Sequence, residues 1–446
     1  MIAFKNFTFL SIVVSTIAYG YKSLQSSISM PYKASDVGVA VYSKSLDSYG
    51  PRIYVTGGCV SDQLCSNAQY QNCYCTLATQ KCKYFTPENP SWHDCADAPT
   101  PRYRHMTAIV GDYLYVIGGR DTANDALILS IEVLDIKLNT WSTFATQTAS
   151  QAVSDGYAFS YGNQLYVVGG YCDQPNVYTT MSAMLAYNTT ASKTSFGAQS
   201  PTTKAPMSIG RGDIGMTQLG NYFYVTGGWD SNWCTTLKVV EKYDPSTNTW
   251  STQAPMVYGR GDMVTGHLDG NMFSIAGEQK FSPTNCDLSV PVSYVGRYDP
   301  SSNSWETEED LSLSVFRFGG ASYESDTQKA IFLFGGQTTY NPNLGPYGGY
   351  AIIDTVYQYV PYSVASNFGL TSGQPTPAPS RKIPPTKGRT HSPSRKPTSR
   401  KHSPSRKPTS RKHSPSRKPT SRKHSPSRKP TSRKHSPSRK PTILEH

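Results

Sequence analysis

Three things are scarce in this 446-residue chain. Long apolar runs are one. The longest, from Phe7 to Ala18, holds about twelve residues against the ~20 that a membrane-spanning helix needs, so no transmembrane segment is expected. Histidine is another. Before the C-terminal region only His93, His105 and His267 occur, and no Tyr-His step, so a copper site built from paired imidazole and phenolate ligands lacks its donors. Acid at the C-terminal end is the third. Positions 380–446 hold 22 Lys and Arg against one acid, Glu445, a charge of +21; the other positions hold 21 basic and 29 acidic residues, a charge of −8. The overall +13 therefore hides an acidic body and a basic tail.

The N-terminal MIAFKNFTFLSIVVSTIAYG has a lone Lys5, the apolar run, and small residues at Ala18 and Gly20. It is expected to be a secretory signal peptide over residues 1–20, cut after Gly20 or Ala18, with an uncut membrane anchor as the alternative. The protein is thus expected to be secreted and extracellular, with the cell wall as a candidate location. Cysteine usage agrees, because six of the nine fall in residues 59–95 of a chain bound for an oxidising compartment. No paired C-x-x-C set with interleaved histidine supports zinc, and no metal or cofactor is expected. In KCKYFTPENPSWHDC, Cys82 and Cys95 stand symmetrically about a turn at Glu88-Asn89, so they are expected to be bonded to each other.

What the chain has in abundance is repetition. RIYVTGG (52–58), YLYVIGG (113–119), QLYVVGG (164–170), YFYVTGG (222–228), MFSIAG (272–277) and IFLFGG (331–336) recur at the spacing of propeller blades. KYDPSTNTW (242–250), RYDPSSNSW (297–305), VLDIKLNTW (133–141) and KYFTPENPSW (83–92) follow them, with Tyr187 and Phe196 as a looser pair. Strands are short and rich in aromatic and β-branched residues, glycine and proline fill the gaps, and helical periodicity is absent.

The pattern resembles the kelch repeat over nearly all of residues 24–362. That resemblance implies an all-β fold: a six-bladed kelch-type β-propeller over residues 21–370, with a Cys-rich insert at 59–79 in blade one. The glycine pairs would let backbones crowd near the centre, and the Trp and Tyr would pack between blades. The sixth repeat has Tyr357 but no tryptophan. LQSSISMPYKASD (24–36) aligns with WSTQAPMVYGRGD (250–262), so residues 21–32 are expected to supply the closing strand, with 362–370 as the alternative.

GRGD occurs at 210–213 and 259–262. Its arginines share a repeat position with Arg102, and Arg317 is placed there too on the assumption of a turn two residues longer, Ala34 and Val153 filling the other two blades. An adhesion triplet at the start of a strand could not be presented on a loop tip. Arg102, Arg211, Arg260 and Arg317 are instead expected to ring one end of the channel and to suit carboxylate or sulfate, or else to be satisfied by Asp213, Asp262 and loop carbonyls. The loops after the glycine pairs share that face. They carry seven cysteines and the candidate stacking residues Tyr171, Trp229, Trp233 and Tyr340, which suits a protein or glycan ligand. Asn188 is a candidate glycosylation site.

Two functional classes remain. One is a monomeric, non-enzymatic binding protein; the alternative is an extracellular carbohydrate-active enzyme of galactose-oxidase-like propeller type. Residues 371–446, built on HSPSRKPTSRK, hold two prolines per unit and almost nothing apolar to bury, so they are expected to be disordered. A secreted polycation of this kind is expected to meet a polyanionic matrix (polysaccharide, mineral or membrane surface) rather than nucleic acid.

Overall fold

A computed structural model describes residues 18–23, 28–62, 75–176, 178–190, 196–197, 199–231, 235–282, 285–341 and 349–362. All belong to a unit ending at Thr371; the basic repeats lie outside the described residues. Six four-stranded antiparallel sheets follow one another as propeller blades. Blade one orders Gly38–Tyr42, Arg52–Thr56, Cys82–Thr86 and Ser91–Asp94 from the axis outward, and blade four does the same with Gly215–Leu219, Tyr222–Thr226, Val240–Asp244 and Thr249–Gln253. No helix among the described residues is long and apolar enough to cross a membrane.

Sheet faces of this composition are buried on both sides, so each blade must pack on two neighbours. The core divides accordingly. Ile53, Val55 and Phe85 of blade one meet Phe332 and Phe334 of blade six, and comparable clusters fill the other five seams. Backbone hydrogen bonds stitch the same seams. The second residue of each glycine-pair position, at 58, 119, 170, 228, 277 and 336, donates its N–H to Arg102, Val153, Arg211, Arg260, Val315 and Ala34 of the next blade, at 2.9–3.1 Å. Gly118 shows why this step takes glycine: its φ is 58°, and a Cβ there would lie 2.2 Å from the Val153 carbonyl. At the rim, the indoles of Trp92, Trp141, Trp250 and Trp305 donate to the carbonyls of Ile28, Ala96, Ala205 and Ala254 at 2.7–3.0 Å. Asn139, Asn248 and Asn303 accept the N–H of those three alanines. The tryptophans are welds between blades, half-buried and spoken for.

Blade six closes through the N-terminal side. Ala18–Ser23 pairs antiparallel with Val356–Tyr362, setting Tyr21 opposite Tyr359. The alignment of Leu24 with Trp250 placed this strand at 21–32, about three residues later in register. It also took Tyr357 for the repeat tyrosine, whereas Tyr359 stands opposite Ile331 as Tyr243 stands opposite Phe223. Leu24 itself lies outside the described residues. The strand starts inside the expected signal peptide, so cleavage after Gly20 would remove its first three residues and cleavage after Ala18 only one.

The loops after the glycine pairs build small sheets of their own: Cys59–Asp62 with Cys75–Ala78, Tyr171–Cys172 with Thr179–Thr180, Glu278–Ser282 with Asn285–Pro291, and Val315–Phe316 with Gln337–Asn341 and Gly349–Ile352. Cys82 and Cys95 are joined by a disulfide with Cα atoms 5.3 Å apart, and a second disulfide joins Cys59 to Cys75. The Cys172 thiol is buried and unpaired.

Candidate functional site

The axis is lined by the first strand of every blade, and at the end where the post-glycine loops emerge it narrows to one residue from each. These are Asp36, Arg104, Asp155, Asp213, Asp262 and Arg317, all left-handed with φ between 51° and 56°. Asp tolerates that conformation better than most residues; arginine adopts it at a cost. The cost is met by a closed circle of backbone hydrogen bonds in which each N–H donates to the carbonyl of the residue before it in the ring, from Asp36 to Arg317 (2.7 Å) round to Arg317 to Asp262 (3.3 Å). The ring caps a cavity of about 130 Å³ whose deeper wall includes Val37, Ile214, Met263 and Phe318.

Four aspartates and two arginines share this ring, and Glu278 adds a fifth carboxyl. Arg104 Nε lies 3.8 Å from Asp36 Oδ1 and 3.7 Å from Asp155 Oδ1, and Arg317 Nε lies 3.4 Å from Asp262 Oδ2. The Tyr171 hydroxyl donates to Asp213 Oδ2 at 2.7 Å. Burial dominates the electrostatics. It lifts Asp155 to about 6, Asp262 and Asp36 adding to the shift while Arg104 opposes it. It lifts Asp213 well above its ordinary value, with Asp262 and Asp155 next in weight, and Glu278 to about 7, with Asp262 adding. Burial also works against the Arg104 charge, but Asp155, Tyr178 and Asp36 outweigh it and hold the guanidinium protonated. The mouth therefore carries an excess of carboxyl groups.

Three of the four arginines expected at the channel are elsewhere. Arg102 is buried, 2.9 Å from Glu132 Oε1, and donates to the carbonyls of Gly118 and Ser130. Arg211 is fully buried, with Nη1 2.8 Å from Glu241 Oε2 in an ion pair rather than a well-aligned hydrogen bond, and Nη2 donating to the Val225 carbonyl. Arg260 donates to the carbonyls of Tyr294 and Ser274 at 2.6 and 2.9 Å. These three are buried and held inside their own blades and cannot ring a channel. Arg317 does reach the ring, but at a different repeat position: Val315 takes the place of Arg102, and the first hairpin turn of blade six is four residues longer than that of blade two, not two.

The stacking candidates divide likewise. Tyr171 and Trp229 are buried under the next blade, where a Cβ on Gly212 or Gly261 would come within 2.2 or 2.4 Å of their rings. That accounts for both GRGD triplets: arginine in a blade interior, glycine beneath a ring, aspartate in the channel. No part of either is presented for adhesion. Trp233 lies outside the described residues, and Tyr340 falls in strand Gln337–Asn341, where the side chain is not described. Tyr178, by contrast, stands at the mouth, its hydroxyl on Asp125 and its ring 3.8 Å from the Arg120 guanidinium. Asn188 is exposed, and its Oδ1 accepts from the Thr190 N–H and hydroxyl at 3.0 and 2.9 Å.

Sequence reasoning named Asp213 and Asp262 only as partners of the arginines and Arg317 at another repeat position, and missed Asp36, Arg104, Asp155 and the ring that all six form. Its signal was present: an aspartate fourteen residues before the first glycine-pair position in blades three, four and five.

Comparison with known proteins agrees with this architecture. The KLHDC2/KLHL20/DRC7 Kelch-repeats domain matches residues 43–277. Kelch-like protein 23 of Pongo abelii is 24% identical over 270 residues, which is 60% of this chain and 42% of that protein. Kelch-like protein 36 of Rattus norvegicus is 25% identical over 292 residues, 64% of this chain and 42% of the relative. The match thus spans about two fifths of the length of these relatives. Among solved structures, that titled "Structure of YjhT" superposes with a TM-score of 0.54 at 13% identity, covering 74% of this chain and 96% of its own, a likeness of fold alone. Residues 43–277 cover more than half of the chain, and with six such blades closed around a common axis this protein belongs to the kelch-repeat β-propeller family.

Proposed function

We propose that this is a secreted, non-enzymatic binding protein whose propeller engages a protein or glycan ligand at the mouth of the charged channel. Its basic tail holds it to a polyanionic matrix of polysaccharide, mineral or membrane surface. The observation that carries the first part is the ring itself: six polar residues in left-handed conformation, one from each blade, gathered about the axis on the face with the long loops. Five carboxyls against two guanidinium groups favour a ligand that brings neutral hydroxyl, amide or cationic groups. A carboxylate or sulfate ligand, suited to a ring of arginines, does not fit this mouth. The three histidines of the body sit apart, His93 bonded to Ser91, His105 to Thr56 and His267 to Thr217, which supports a binding role over copper-radical chemistry.

The test separates the two parts. A full-length variant with every tail Lys and Arg replaced by Gln should lose salt-sensitive retention on sulfated polysaccharide or silica, yet still capture the propeller ligand from native extracellular material. Loss of both activities would show that the propeller has no ligand of its own.

A further inference from the structure

The geometry points to a divalent-cation site, of calcium type, formed by Asp155, Asp213 and Asp262 in the channel. These three are consecutive in the ring but lie 58 and 49 residues apart in the chain, so no contiguous motif reveals them. One carboxylate oxygen from each lies within 4.8 Å of the other two. Some point is then within about 2.8 Å of all three atoms, so small side-chain adjustments give the 2.3–2.6 Å distances calcium takes to oxygen.

Each carboxylate is also braced from outside through one oxygen. Arg104 lies against Asp155 Oδ1, the Tyr171 hydroxyl bonds Asp213 Oδ2, and Arg317 lies against Asp262 Oδ2. Such outer partners orient metal-binding carboxylates. A second, separate observation is that Asp155 Oδ2 has no hydrogen-bond partner although its side chain is only 5% exposed and forms part of the cavity wall. A buried anionic oxygen left unsatisfied is costly, and a cation in the cavity would satisfy it. Donors that are all oxygen select a hard cation over zinc or copper. The cavity of about 130 Å³ has room for the ion and the waters that would complete its coordination. The site does not depend on which ligand the mouth receives.

Full-length protein, stripped with chelator and dialysed at neutral pH, would be titrated with calcium by calorimetry and with terbium by tyrosine-sensitised luminescence. One calcium per chain is expected, displacing terbium, while magnesium at the same concentration displaces it poorly. Asp155→Asn and Asp213→Asn should each weaken binding about tenfold or more, and Tyr171→Phe, which removes one brace and leaves the carboxylates, by about tenfold. Asp244→Asn, on a surface turn, should change nothing. No saturable binding up to about 5 mM calcium, above the range of extracellular sites, would overturn the proposal. So would unchanged affinity in folded Asp155→Asn protein. If the asparagine variants do not fold, Tyr171→Phe and the wild-type terbium competition decide it alone.

Discussion

Replacing Arg211 with methionine should destabilise the propeller severely, although Arg211 belongs to a triplet that looks like a surface ligand. Its guanidinium is fully buried, and Glu241, 2% exposed, would remain as a buried anion without its partner. Breaking a buried pair in this way costs about 3–5 kcal/mol. With an unfolding entropy of ~2.1 cal/mol/K per residue over the roughly 345 residues from Ala18 to Tyr362, the melting temperature should fall by about 4–7 °C. Two controls sharpen the test. Arg211→Met with Glu241→Leu should recover all but about 1–2 kcal/mol, the residue of loss being the Ser208 N–H that now bonds Glu241. Arg260→Met should cost less than Arg211→Met, because its blade has Gly296 where Glu241 stands in blade four and no carboxylate is stranded. Calorimetry on the full chain reads all three. A melting temperature for Arg211→Met within 1 °C of wild type, or a double variant worse than the single, would refute the reasoning.

Three more outcomes are expected. Burial, with Arg102 adding, pulls His105 down to about 3, so its neutral form contributes stability that is complete above pH ~6.5 and is lost as pH falls towards 3. The stability gap between wild type and His105→Gln, measured by urea unfolding, should therefore narrow by about 1.4 kcal/mol per pH unit below ~6; a gap constant with pH would contradict it. N-terminal sequencing of secreted protein should find Tyr19 rather than Tyr21, since cleavage after Ala18 keeps five of the six closing pairs, and deletion of residues 19–35 should lower the melting temperature far more than deletion of 372–446. A tail scrambled at constant composition should elute from sulfated polysaccharide at the same salt as the native tail, because exposed charge is screened over ~8 Å whatever its order; binding that survives molar salt would mean a specific receptor.

Much of this was legible in the sequence, for reasons that particular residues make clear. The glycine pairs and the D-x-x-x-N-x-W turns announce themselves because each is fixed by a contact repeated in every seam or nearly so: a glycine N–H on the next blade, an indole on a linker carbonyl. Arg317 was misplaced because its homology rests on counting through a hairpin turn, and turn length is free to drift on the surface. Tyr171 and Trp229 looked exposed because they begin loops; only the fold reveals that a glycine of the next blade sits under each ring. The partners of the arginines could have been found by comparing the repeats among themselves. Glu132 and Glu241 occur two residues before the tyrosine position in blades with Arg102 and Arg211, while blades with Ala34, Val153 and Val315 carry Lys83, Leu185 and Tyr357 there. The ring stayed hidden because its members are far apart in sequence and two of them were assigned as partners for the neighbouring arginines.

The claim that the channel mouth receives the ligand is tested most directly by site-specific photocrosslinking of the full-length protein in native extracellular material. One crosslinker would replace Asn124, exposed in the loop beside Tyr178 and Asp125 at the mouth; another would replace Asn163, exposed in a hairpin turn at the opposite end of the blades. A single discrete adduct from position 124 and none from position 163 is the expected result. Adducts formed equally from both, or only from 163, would place the ligand away from the ring and contradict the account.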